Sequence, residues 1–264
     1  MKLAFKRLRL ILGFNTIFCL LLSFAATYTC IFFGWTADFP ITTVGIAVVT
    51  PIVFSIGGAY TRRETALTQY GNIKGLGRAM YFASRDWLRD ESDLAEKNQK
   101  HFKKHLNELM VSIREHFKAK INSHTSDVRE REVYRLFSKL SKDIEDLRNR
   151  GMNGSELSRV SAYIKDMIMA YEDVKHIYQY RTPRTIRVYS KIFIYVVPII
   201  YAPYFALLAE GHPFWLGFLM PGLFALIFTC LDNIQEHLEN PFDVVGEDDV
   251  RINPEKFAET LSIR

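Results

Sequence analysis

Four stretches of this chain contain no Lys, Arg, Asp or Glu: Leu10 to Ala37, Phe39 to Thr61, Ile192 to Ala209 and Gly211 to Leu231. Each reaches roughly the 18–20 apolar residues that a helix needs to cross a ~30 Å hydrocarbon layer. In that solvent every backbone N–H and C=O must be satisfied inside the protein, and the helix does this within one segment. Between the second and third runs lies a polar stretch dense in Lys, Arg, Glu and Asp. The pattern predicts an all-α membrane protein with two transmembrane hairpins. Residues 1–61 form the first hairpin, with helices over 10–35 and 40–61, and residues 62–190 form a helical insert. Residues 191–238 form the second hairpin and 239–264 a tail.

The first run follows Lys2, Lys6, Arg7 and Arg9, as in a signal peptide. It is longer than the ~7–15 apolar residues of a signal core, and no small-x-small cleavage site closes it. It reads as a retained helix. The basic N-terminus and the basic start of the insert belong on the cytoplasmic face by the positive-inside rule. The linkers on the other side, GWTADFPITT and AEGHPFW, carry no Lys or Arg and present Trp35, Phe39, Phe214 and Trp215, which suit the membrane–water interface. Both termini and the insert are therefore expected in the cytoplasm, in a plasma or bacterial inner membrane.

The formal net charge of +5 needs no nucleic-acid partner, because much of the basic excess lies beside the membrane, where it meets anionic lipid headgroups. The three cysteines all fall inside apolar runs. Cys19 and Cys30 lie about 16 Å apart along one helix, beyond disulfide reach. They read as small buried hydrophobes.

The insert reads as helix throughout. Phe102, Leu106, Met110, Ile113 and Phe117 form one stripe. Ser126 is a plausible N-cap for the next helix, which stops before the glycine-bearing turn GMNGS. His101 and His105, with Glu108 one turn on, have a spacing that can face zinc. Lys103 and Lys104 flank them and no HExxH is present, so a solvated face is the better reading. The chain has no Walker loop, GxSxG or dinucleotide fingerprint, and nothing in it points to an enzyme.

Two places look constrained. After the fourth run, Asp232, Glu236 and Glu239 recur at helical spacing before Pro241, and Glu247, Asp248 and Asp249 follow Gly246. Such carboxylates suit an ordinary charged surface or, less simply, calcium. The other place is PIVFSIGGAYTRRE, residues 51–64, where Ile52, Ile56 and Tyr60 recur every fourth residue. They can fill a helix–helix interface, beside which Gly57 and Gly58 allow close approach, or form a hydrophobic constriction that gates ions by dewetting.

With these residues assembled, the chain resembles the bestrophin family of ion channels, especially its microbial branch. The resemblance is carried by YRTPRTIRVYSKIFIYVVPIIYAPYFALLAEGHPFWLGFLMPGLFALIFTCLDNIQEHLENPFD and by IVFSIGGAYTRRETAL. It implies a homopentamer of four-span, all-α subunits with a cytoplasmic vestibule, conducting small ions passively. By position Ile52, Ile56 and Tyr60 would be the neck rings, Arg62 and Arg63 the inner-mouth charge, and Thr182 beside Pro183 a cytoplasmic constriction. Positive charge at that mouth favours an anion such as chloride, although the family also includes cation conductors. No cofactor is expected beyond calcium at Glu247, Asp248 and Asp249, where NPFDVVGEDD departs from the family's NPFG. Tyr60 departs from a family Phe, and the tryptophan signature after the neck is absent. The competing expectation is a membrane scaffold that keeps the fold without conducting.

Overall fold

The computed structural model describes residues 13–38, 40–88, 93–180, 184–211, 213–239, 241–242 and 250–262. Among them the chain forms helices and no strand. The helices are α1 Phe14–Phe33, α2 Ile41–Asp86, α3 Asp93–Lys118, α4 His124–Asn149, α5 Gly154–Gln179, α6 Arg184–Ile200, α7 Ala202–Gly211, α8 Phe214–Glu239 and α9 Pro254–Thr260. They divide into two compact units. One comprises Met1–Thr61 with Arg181–Asn240, and the other Arg62–Tyr180 with Pro241–Arg264. Three stretches among the described residues are long and apolar enough to cross a membrane: Phe14–Phe33, Lys191–Glu210 and Trp215–Leu238. The remaining expected run, the second, falls in the first part of α2.

In the apolar unit α1 packs against α6, α7 and α8. Its buried residues are Thr16, Cys19, Ser23, Thr27 and Cys30, while Phe14, Ile17, Phe18, Leu21 and Phe32 face outward. This inverts the order of a water-soluble helix. Lipid is as apolar as Leu, so burying Leu gains little there, whereas small residues let helices approach and hydroxyls bond across the gap. Ser23 Oγ donates to the Pro221 carbonyl at 3.2 Å, and Asn233 Nδ2 donates to Thr16 Oγ1 at 3.3 Å. Helix α1 stops at Gly34, which takes φ +66° and lets the Trp35 N–H reach the Cys30 carbonyl at 2.8 Å.

The expected third span is divided at Tyr201 into α6 and α7. Pro198 and Pro203 lack an N–H, so the carbonyls of Ile194 and Ile199 lose their ordinary helical donors. The Cys19 thiol supplies a donor to Ile194 O at 3.4 Å. The ladder persists between the prolines through Tyr201 N–H to Val197 O at 3.0 Å. Helices α7 and α8 then approach so closely that a Cβ built at Gly217 would lie 2.4 Å from Ala209 Cβ. Only glycine fits there without a shift.

The polar unit is a helical bundle with its apolar residues inside. Phe102, Leu106, Met110, Ile113 and Phe117 of α3 are all buried, and their stripe meets Val133, Leu136, Phe137 and Leu140 of α4. Burial of each such side chain contributes about 1.5–3 kcal/mol. Helix α4 begins one turn earlier than Ser126. Its cap is Ser123, whose Oγ accepts from the Ser126 N–H at 3.2 Å, leaving the Ser126 side chain buried. The GMNGS turn holds Gly151 at φ +86°, and Asn153 caps α5. Tyr70 of α2 accepts from the Asn253 N–H at 3.0 Å, and Asn253 caps α9 in turn.

Candidate functional site

The stretch from Pro51 to Thr61 lies in α2 within the apolar unit. An α-helix turns 100° per residue, so positions four apart drift by about 40°, and positions eight apart by about 80°. Ile52, Ile56 and Tyr60 therefore fan across the helix rather than sharing one line. Ile52 is 0% exposed and packs in the cluster of Cys19, Ile194, Val197, Phe205 and Phe228. Ile56 is partly buried against the same cluster. Tyr60 is 54% exposed. The buried line is Ile52, Ser55 and Ala59, with spacing three and four, and Ile52 is closed within its own chain.

The outward face carries Val53, Phe54, Gly57, Gly58, Tyr60 and Thr61. Phe54 is 76% exposed, and a Cβ built at Gly57 or Gly58 would meet nothing within 4 Å. Thr61 Oγ1 donates back to Gly57 O at 2.9 Å, which satisfies its hydroxyl inside the helix. This face bears no charge, and aromatic rings at Phe54 and Tyr60 bracket the two glycines. Centring the helical period on Ser55 rather than Ile56 would have found it from sequence.

In the polar unit, Arg62 and Arg63 are both half-buried. Arg63 Nη1 lies 2.5 Å from Glu64 Oε1, so its charge is largely matched by its neighbour. Further along, α2 presents Thr65, Thr68, Gly71, Asn72 and Gly75 outward. A 560 Å³ cavity opens beside the last three, and Asp166 and Asp173 of α5 also line it. Gln69 Nε2 donates to Asp173 Oδ2 at 2.9 Å, and Gln69 Oε1 accepts from Asn72 Nδ2 at 2.9 Å.

The other sequence candidates fall as follows. Thr182, Glu247, Asp248 and Asp249 lie outside the described residues. Among the described residues no group of three or more His, Cys, Asp or Glu side chains is arranged to hold a metal. His105 joins Asp143 of α4 at 2.6 Å rather than a metal face. Burial raises the Asp143 pKa, against the lowering effect of His105. Asp232 is buried while Glu236 is exposed. His116, missed in the sequence, is fully buried. Its Nδ1 meets the Tyr171 hydroxyl at 2.7 Å, and desolvation pushes its pKa down to about 4.

Solved structures share this architecture. A bacterial bestrophin homologue from Klebsiella pneumoniae matches in two forms. A point variant has TM-score 0.74 and 16% identity, and the structure phased on zinc 0.72 and 15%, each over 93% of this chain and 95% of theirs. A variant described only as a membrane protein matches with TM-score 0.75 and 14% identity, over 94% and 96%. The chain has the bestrophin fold. No family model and no curated protein sequence matches it.

Proposed function

We propose that this protein is the subunit of a bestrophin-like homopentameric channel that conducts small ions passively. One observation carries the reading. Helix α2 turns an uncharged face outward, with two glycines between exposed aromatic rings, in a unit that also holds three stretches long and apolar enough to cross a membrane. In a ring of copies such a face supplies a narrow lining over which ions shed part of their water. Tyr60 is the neck residue on that face, Ile56 borders it and Ile52 anchors the helix behind it. Four spans, with both termini and the polar unit in the cytoplasm, complete the arrangement, and lipid covers the remaining apolar faces.

Arg62 and Arg63 would raise the local concentration of anions, which favours chloride. A cation-selective reading has its own support. Glu64 offsets Arg63, and Asp166 and Asp173 line the cavity beside α2. Reversal potentials in a potassium chloride gradient separate the two. Particle mass and symmetry in detergent test the assembly: five copies agree with the proposal, and a monomer or dimer contradicts it. A folded pentamer that passes no ion would instead mark a scaffold.

A further inference from the structure

We propose that the cavity between α3 and residues 250–255 binds a small organic anion, with one phosphate or carboxylate on a compact apolar body. The cavity is about 250 Å³, room for about eight waters at ~30 Å³ each and too little for an acyl chain. Three cations line it from two directions: Arg114 and Lys118 from α3, and Arg251 from the chain leading into α9. One carboxylate lines it, Glu255, and it holds Arg114 Nη1 at 2.7 Å. Glu115 also lies 3.3 Å from Arg114 and 3.9 Å from Lys118. Arg114 is thus fixed in place, while Arg251 and Lys118 are exposed at the rim, Lys118 with only the long 3.9 Å contact to Glu115.

The wall is of a different kind. Phe117 and Phe242 stack with ring centroids 4.9 Å apart, both are buried, and both line the cavity beside Val250 and Ile252. An inorganic ion would use the cations and make no contact with this apolar wall, whereas a neutral aromatic would leave the cations without a ligand partner. A ligand with both parts satisfies each. Its binding would tie α3 to the C-terminal residues, since the cations come from both.

The test is calorimetric titration of the full chain, in neutral detergent, with phenyl phosphate, inorganic phosphate and phenol. Phenyl phosphate should bind at least tenfold more tightly than either fragment, and Arg251→Ala and Lys118→Ala should each weaken it about tenfold. Both side chains are exposed, so the variants should keep the unliganded melting temperature. Equal affinity for inorganic phosphate, or affinity unchanged in both variants, would overturn the proposal. So would absence of binding. Repeating the titration in nanodiscs identifies the source of the anion. Weaker binding in phosphatidylglycerol than in phosphatidylcholine assigns the site to a lipid headgroup, and equal binding assigns it to a soluble anion. None of these readouts depends on ion conduction.

Discussion

Ile52 and Tyr60 lie eight residues apart on α2, yet Ile52 is closed inside its own chain while Tyr60 stands more than half exposed. The two positions therefore separate stability from conduction. Ile52→Ala opens a cavity among Cys19, Val197 and Phe228 and should cost about 2–5 kcal/mol. Tyr60→Ala removes no internal contact of that kind and should leave the detergent melting temperature within the range of surface changes, about 0.5 kcal/mol. Thermal unfolding of the two variants beside the parent checks this.

Gly217 and Gly75 make a matched pair. Alanine at 217 would put its Cβ against Ala209 and near the Phe205 carbonyl at 3.3 Å, so α7 and α8 must part. That should cost about 1–3 kcal/mol, as overpacking does. Alanine at 75 meets open space in a helix. It should be neutral or stabilise by about 0.5–1 kcal/mol in the isolated chain. A loss at 75 that occurs only in the assembled protein would show a neighbouring copy there.

The thiol of Cys19 answers a carbonyl that Pro198 leaves without its helical donor. Cys19→Ala should therefore destabilise the parent more than it destabilises a Pro198→Ala background, where the backbone N–H returns. A double-mutant cycle on unfolding free energy should give a coupling of about 0.5–1.5 kcal/mol. Additive effects would remove the hydrogen bond from the account.

His116 sets a pH dependence for the polar unit. Its folded pKa of about 4 lies below the ordinary value of 6.5 because burial disfavours the charged ring. Between those values the unfolded chain binds a proton that the folded chain does not. Stability is full above 6.5 and falls as pH drops from 6.5 toward 4. The loss is on the order of a few kcal/mol. Unfolding measured across this window should show the slope in the parent and a flatter profile in His116→Gln.

Most of the helices could be read from periodicity, because one segment's pattern suffices to show them. The apolar stripe of α3 from Phe102 to Phe117 is such a case, and all five residues are buried. Features that depend on neighbours were harder. A four-residue spacing does not show which side of α2 another helix covers, and the drift from 3.6 to 4 moved Tyr60 out of the line of Ile52. The small residues of α1 were uninformative in sequence because their burial follows from lipid as the solvent, which reverses the usual inside–outside rule. Ser123 and Ser126 are both good caps by composition, and only the N–H geometry chooses between them.

The central claim, that the outward face of α2 lines an ion path, is tested most directly by currents from the purified full chain in planar bilayers, with Tyr60→Ala beside the parent. The account predicts a conductance in the parent and a changed conductance or reversal potential in the variant at unchanged oligomeric mass. A folded, membrane-inserted parent that carries no current, or a variant whose currents match it, would contradict the account.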